Sequence, residues 1–128
     1  MNENLYNPID TVLQRQDEDG ISMIAVIRNP YERLVSGYLA SYGYDSFEDY
    51  LNEGLHRAQA YELNGIPYIK LENWEEEVAE KDIDISEYSP DISKLDYASD
   101  YRCWYDKKLK KKVKTLTRAD RITYNYTF

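Results

Sequence analysis

A single cysteine, Cys103, excludes an internal disulfide and fits a reducing, cytoplasmic setting, in which a small packed side chain is its expected role. No run approaches the roughly 18 apolar residues that a membrane-spanning helix needs. Met1-Asn2-Glu3-Asn4 opens the chain without a basic segment followed by an apolar run, so no secretory leader is expected. Aliphatic side chains are few: Ile, Leu, Val and Phe together number 28 of 128 residues, close to the level below which a chain cannot bury enough to fold. Positive charge is in deficit too. A formal charge of −8 argues against general nucleic-acid binding, which relies on neutralising phosphates with Lys and Arg. It leaves room for one local anion site, because a few nearby groups set the field there.

Fourteen tyrosines and two tryptophans make up the aliphatic shortfall. A tyrosine buries a large ring while its hydroxyl stays wet or hydrogen-bonded, which suits a thin core. The length fits one domain spanning residues 1–128.

Leu5, Ile9, Val12 and Leu13 fall at helical spacing, so a short helix is expected over 5–16, stopped by Asp17-Glu18-Asp19-Gly20. Ser22 to Ile27 is a nearly continuous apolar run with β-branched residues, the pattern of a strand buried on both faces of a parallel sheet. Arg28-Asn29-Pro30 ends it, and proline suits the first turn of a helix. That helix is expected over 30–42, with Tyr31, Leu34, Val35, Tyr38, Leu39 and Tyr42 as its apolar stripe. Ser46 reads as the N-cap of a second helix that buries Phe47, Tyr50, Leu51 and Leu55. Ile66 to Leu71 reads as a second strand, Asn73 as the cap of an acidic helix over 74–81, and 82–99 as loop. Tyr101, Tyr105, Leu109, Val113 and Leu116 give a last helix over 101–116, before an extended aromatic tail over 121–128. Strands separated by helices predict an α/β fold with a short parallel sheet.

Chemistry concentrates at Arg28 to Tyr38. Ligands of open α/β sheets gather beyond the carboxyl ends of strands, and a helix N-terminus there favours an anion. Arg28 adds a planar fork that matches two phosphate oxygens. Arg33 and Ser36 are three residues apart, so they share a helix face and can converge on the same anion. The same groups have a plainer use. A strand-end arginine also pairs with carboxylates, of which the chain has 24, and Glu32, Asp49 and a neighbouring loop are candidates for Arg33.

The stretch Val26-Ile27-Arg28-Asn29-Pro30-Tyr31-Glu32-Arg33-Leu34-Val35-Ser36-Gly37-Tyr38 resembles the 3′-phosphate-binding motif of sulfotransferases that use 3′-phosphoadenosine 5′-phosphosulfate (PAPS), closest to the carbohydrate sulfotransferase branch. In that family a strand-end arginine and a serine eight residues later hold the donor's 3′-phosphate. Arg28 and Ser36 take those places, and Arg33 matches a second arginine that supports the same corner. Ile69-Lys70-Leu71-Glu72-Asn73-Trp74 is similar to the family's strand ending in Glu-Asn, with Glu72 holding a strand-end turn. The stretches 101–120 and 124–128 resemble its closing helix and aromatic tail, so the resemblance covers most of 22–128.

The family's first strand and its 5′-phosphosulfate loop have no counterpart among the 21 residues before Ser22, which hold one arginine, Arg15. The resemblance therefore implies a partial P-loop-like three-layer fold, incomplete at the N-terminus. It implies PAPS as sulfuryl donor, no metal, and a carbohydrate or other small hydroxyl or amine acceptor. The alternative is a non-catalytic nucleotide-binding or protein-interaction module. His56, the only histidine, is the candidate general base, in a stretch His56-Arg57-Ala58-Gln59 that loosely resembles an acceptor-side segment; a solvent-facing histidine is the other reading. The lysines of 107–114 read as the solvated face of one helix, not a nucleic-acid or membrane patch. Loss of a central strand would leave an open sheet edge, which predicts a homo-oligomer or a missing partner segment.

Overall fold

A computed structural model describes residues 10–54 and 56–128. Among them the fold is mixed α/β, with one three-stranded sheet and six α-helices.

Strands β1 (Thr11–Asp17) and β2 (Gly20–Ile27) form an antiparallel hairpin closed by Glu18-Asp19, with Asp17 opposite Gly20. Gly20 has φ +137°, which L side chains rarely adopt. Asp17 accepts from Arg15 Nε at 2.8 Å and from the Ser22 hydroxyl across the hairpin, so the acidic run is a turn and not a helix stop. β1 thus replaces the helix expected over 5–16; residues 5–9 of that expectation lie outside the described residues. The period is two: Leu13 is fully buried while Gln14 and Gln16 are exposed. The helical spacing from Ile9 to Leu13 competes with this alternation, and cross-strand pairing with β2 decides it.

β2 lies at the centre, antiparallel to β1 and parallel to β3 (Tyr68–Lys70), so the sheet is mixed and not parallel throughout. Both faces of β2 are buried over Ile24 to Ile27, but Ile21 and Met23 at its start are exposed, so the expected two-sided burial holds only for the half next to α1. Ile24 and Val26 pack with Leu13, Ile69, Leu71 and Ile92, whereas Ala25 and Ile27 pack with Tyr124. β1 fills the flank of β2 where an open edge was expected. The two outer edges carry partial cover. Gln14 exchanges backbone bonds of 2.8 and 3.0 Å with Ser89. Beside β3, Lys70 N donates to Glu77 Oε2 at 3.1 Å and Lys81 Nζ donates to the Tyr68 carbonyl at 2.9 Å. A charged pair on an edge strand blocks a further strand from adding there.

Helix α1 (Pro30–Leu39) leaves the end of β2 and is shorter than expected, so Leu39 and Tyr42 are exposed rather than in the stripe. α2 (Phe47–Glu53) starts at Ser46, whose Oγ accepts from Asp49 N at 3.1 Å; Leu55 of its expected stripe lies outside the described residues. One turn, α3 (Gln59–Glu62), precedes β3, and α4 (Trp74–Glu80) follows it without a side-chain cap from Asn73. The last expected helix is divided. Tyr101–Trp104 is a 3-10 turn, Asp106 caps α5 (Lys107–Leu116) through Leu109 N at 2.7 Å, and α6 (Arg118–Tyr124) occupies much of the expected extended tail. Cys103 is exposed, not packed. In α5 Val113 is fully buried and five of the six lysines are exposed, as a solvated face requires, but Leu116 is also exposed.

Tyr31, Leu34, Val35, Phe47, Tyr50, Leu51, Tyr101 and Val113 form the core beneath α1, α2 and α5. It is largely aromatic, and Phe128 closes it edge-on to Tyr31 at 4.9 Å.

If β1 is a strand with one buried face, Leu13→Ala should lose about 2–5 kcal/mol in urea denaturation and Gln16→Ala no more than about 0.5 kcal/mol. Similar losses at both positions would contradict the alternation.

Candidate functional site

The corner between β2 and α1 is built on Asn29. Its Oδ1 accepts from Tyr31 N at 2.9 Å, which caps α1, and Pro30 occupies the first turn. Asn29 N donates to Glu72 Oε2 at 2.7 Å, and Asn29 Nδ2 to the Thr127 carbonyl at 2.9 Å. Glu72 also accepts from the Tyr126 hydroxyl at 2.6 Å. It therefore holds the turn after β3 against the start of α1 and the chain's last residues, the structural part expected of it.

Arg28 and Ser36 meet inside this corner. Arg28 Nη2 lies 3.3 Å from Ser36 Oγ, and both residues are buried. A third residue sits between them. Glu32, fully buried, accepts from Arg28 Nε and Nη2, both at 2.7 Å, from the Ser36 hydroxyl, and from Ala98 N at 2.8 Å. Arg28 Nη2 also donates to the Asp96 carbonyl, and its guanidinium lies 5.8 Å from the Tyr97 ring centroid. The strand end, the helix and the segment 96–98 are thus fastened to one ion pair. Burial, with Glu72 and Glu32 nearby, pushes the Tyr97 phenol far above its usual range. Ser36, Leu39, Ala40, Asp96, Tyr97 and Ala98 line an adjoining cleft of about 330 Å³.

Arg33 does not converge on this anion position. Its Nε and Nη2 grip Asp10 at 2.7 and 2.8 Å, and Nη2 also donates to the Arg57 carbonyl at 2.7 Å. Of the expected partners, Glu32 serves Arg28 and Asp49 is not used; Arg33 takes the loop alternative, through Asp10 and the Arg57 carbonyl. Gln59, fully buried, ties the two arginine networks together. It accepts from Arg28 N at 3.2 Å and donates to the Val26 carbonyl at 3.1 Å and to Asp10 at 3.2 Å. Asp120 completes the second network, accepting from Gln59 N at 3.1 Å and Ala60 N at 2.7 Å, with Arg33 Nη1 4.0 Å away. Burial lifts the Asp120 carboxyl above the usual carboxylate range, opposed by those two N–H groups and by Arg33.

His56 stands apart from Arg28 and Ser36. Its Nε2 lies 2.9 Å from the Tyr50 carbonyl and its ring packs on Tyr50 at 4.7 Å. It is half-buried rather than solvent-facing, and burial lowers its pKa, so the neutral ring donates from Nε2. It lines a different cavity, between α3 and the α5–α6 corner, that shares no residue with the Ser36 cleft.

Sequence reasoning assigned Glu32 to Arg33 rather than Arg28, placed Gln59 in an acceptor-side segment, and passed over Asp10 and Asp120. Only Glu32 carried a readable signal, because it stands four residues after Arg28 on the same helical turn. The others are joined by the fold across 23 to 61 residues. Among the described residues no group of three or more His, Cys, Asp or Glu side chains is placed to hold a metal ion. The chain matches no protein-family model, no curated protein and no solved structure.

Removing one member of a buried ion pair leaves the other charge without a partner, so Glu32→Ala should cost about 3–5 kcal/mol. The double variant Arg28→Met/Glu32→Leu should cost well under the sum of the single losses; additive losses in a denaturation cycle would mean that the pair is not coupled. His56 should titrate below its ordinary 6.5 in an NMR pH series. A base with a folded-state pKa below the unfolded one contributes stability present above the unfolded value and lost as pH falls from there through the lower folded one. A midpoint at or above 6.5 would show that burial does not control the ring.

Proposed function

We propose that this chain is a sulfotransferase-like domain whose β2–α1 corner binds the 3′-phosphate of PAPS. If another segment supplies the sulfate-end loop, it transfers a sulfuryl group to a hydroxyl or amine, on a carbohydrate by the resemblance. One observation carries the reading: Arg28 and Ser36, the two residues that match the family's phosphate ligands, lie 3.3 Å apart at the end of the central strand. The cleft beside Ser36 lies within the range of small-molecule sites, roughly 300–1,000 Å³.

The fit has a condition. Glu32 holds the Arg28 fork and the Ser36 proton, so a phosphate must take both from it. Among the described residues Arg28 Nη1 takes no part in those bonds and is the nitrogen from which an exchange can start. The turn after β1, Glu18-Asp19, is acidic and offers no cradle for the sulfate end. Bound PAPS would supply the sulfuryl group, and these residues would anchor its nucleotide half. A second reading, a non-catalytic module that keeps the corner as structure, is favoured by the same carboxylate, which already satisfies both candidate ligands.

Calorimetry with 3′,5′-adenosine bisphosphate separates the two. Phosphate binding here requires that Arg28→Ala weaken the affinity ten- to a hundredfold, about 1.5–3 kcal/mol. Ser36→Ala, which leaves the ion pair in place, should weaken it about tenfold. No heat from the folded wild-type chain at millimolar ligand would leave only the structural role.

A further inference from the structure

A second cavity lies on another part of the molecule, walled by α3 on one side and the α5–α6 corner on the other, with a volume of about 680 Å³. Three of its walls are large apolar side chains that the fold leaves in water: Tyr61 is 77% exposed, Leu116 47% and Ile122 65%. Each belongs to a different helix or helix end, so their convergence is not the stripe of one amphipathic helix. Apolar side chains gathered in a concavity mark a place for a ligand more than scattered ones do.

The polar groups of the cavity give the ligand its sign. Arg57 pairs with Glu62 at 2.9 Å across the α3 side, and these two charges cancel. Arg118 faces them from the α6 side and has no ion-pair or hydrogen-bond partner among the described residues. His56 lies on the floor with Nε2 committed to the Tyr50 carbonyl. One unbalanced positive charge therefore remains, in a chain whose formal charge is −8. A local positive charge attracts small anions to that point against the overall negative charge.

We propose that this cavity binds a monoanionic amphiphile: a small organic acid whose carboxylate meets Arg118 and whose alkyl or aromatic body lies on Tyr61, Leu116 and Ile122. The size favours a small molecule, since about 680 Å³ holds a medium-length chain and not a folded partner's helix. The single uncompensated cation favours one negative charge. The site shares no residue with the Arg28–Ser36 corner, so it stands whether or not that corner binds phosphate.

The test uses decanoate as probe, followed by calorimetry and by amide chemical shifts of the full chain. Saturable one-site binding is expected, with shifts confined to 56–62 and 115–123. Acetate, which lacks the apolar body, and decyltrimethylammonium, which reverses the charge, should bind at least tenfold more weakly. Arg118→Ala should weaken decanoate at least fivefold. Ile122→Asp, at an exposed position that no core contact depends on, should weaken it at least tenfold while the spectrum stays folded. Equal binding of the cationic amphiphile, no change in Arg118→Ala, shifts spread over the core, or no binding at millimolar decanoate would each overturn the proposal.

Discussion

The ion pair between Arg28 and Glu32 is the constraint on which the rest of the structure rests. Arg28 is 3% exposed and Glu32 not at all, so both charges have left water. Desolvating two ions costs several kcal/mol each, and their attraction offsets that only when the remaining hydrogen-bonding positions are filled. Here they are. Two nitrogens of the guanidinium meet both carboxylate oxygens, and the carboxylate takes the Ser36 hydroxyl and the Ala98 amide as well. Those extra donors come from α1 and from the segment 96–98. The pair therefore fixes how the central strand, its helix and a distant loop sit together, a function that an apolar pair of equal volume would not perform.

A second layer of order follows from the first. With Arg28 turned toward Glu32, its backbone N–H meets Gln59, and Gln59 reaches the Val26 carbonyl and Asp10. Asp10 anchors Arg33, and Asp120 caps the start of α3. Polar side chains thus do in this thin-cored chain what aliphatic packing does in richer ones. The tyrosines serve similarly: Tyr105 donates to the Tyr31 carbonyl at 2.7 Å while its ring packs on Phe47 at 5.3 Å. Burial on this scale forces the phenols to stay protonated, and Tyr50 is pushed up to about 12.

What the sequence disclosed depended on how local the deciding interaction was. The central strand was legible because burial on both faces writes itself as an unbroken apolar run, and α1 because Asn29-Pro30 opens it. Ser46 announced α2 through a cap that needs three residues and no tertiary contact. β1 was misread because its pairing with β2, not its own spacing, chooses the period. The division near Asp106 was hidden because Tyr101 and Tyr105 keep helical spacing while serving a 3-10 turn. At the corner, the meeting of Arg28 and Ser36 was legible and the place of Arg33 was not. Its partner Asp10 lies 23 residues away, and no spacing rule links a strand-leading aspartate to the middle of a helix.

One motif can encode two outcomes, and the carboxylate decides between them. Glu32 is tethered to the same helical turn as the groups it satisfies, so it meets them without losing translational freedom, whereas a phosphate must come from solution. A phosphate carries the larger charge, and that favours it once it arrives. If the binding-competent state is the one in which Glu32 has released Ser36 and shares Arg28, the apparent affinity is the intrinsic one reduced by the fraction of molecules in that state. The segment 96–98 adds to that cost, because Ala98 N and the Asp96 carbonyl hold the pair closed and would have to move with it. The strength of the internal lock and the weakness of an external anion are then the same quantity seen from two sides.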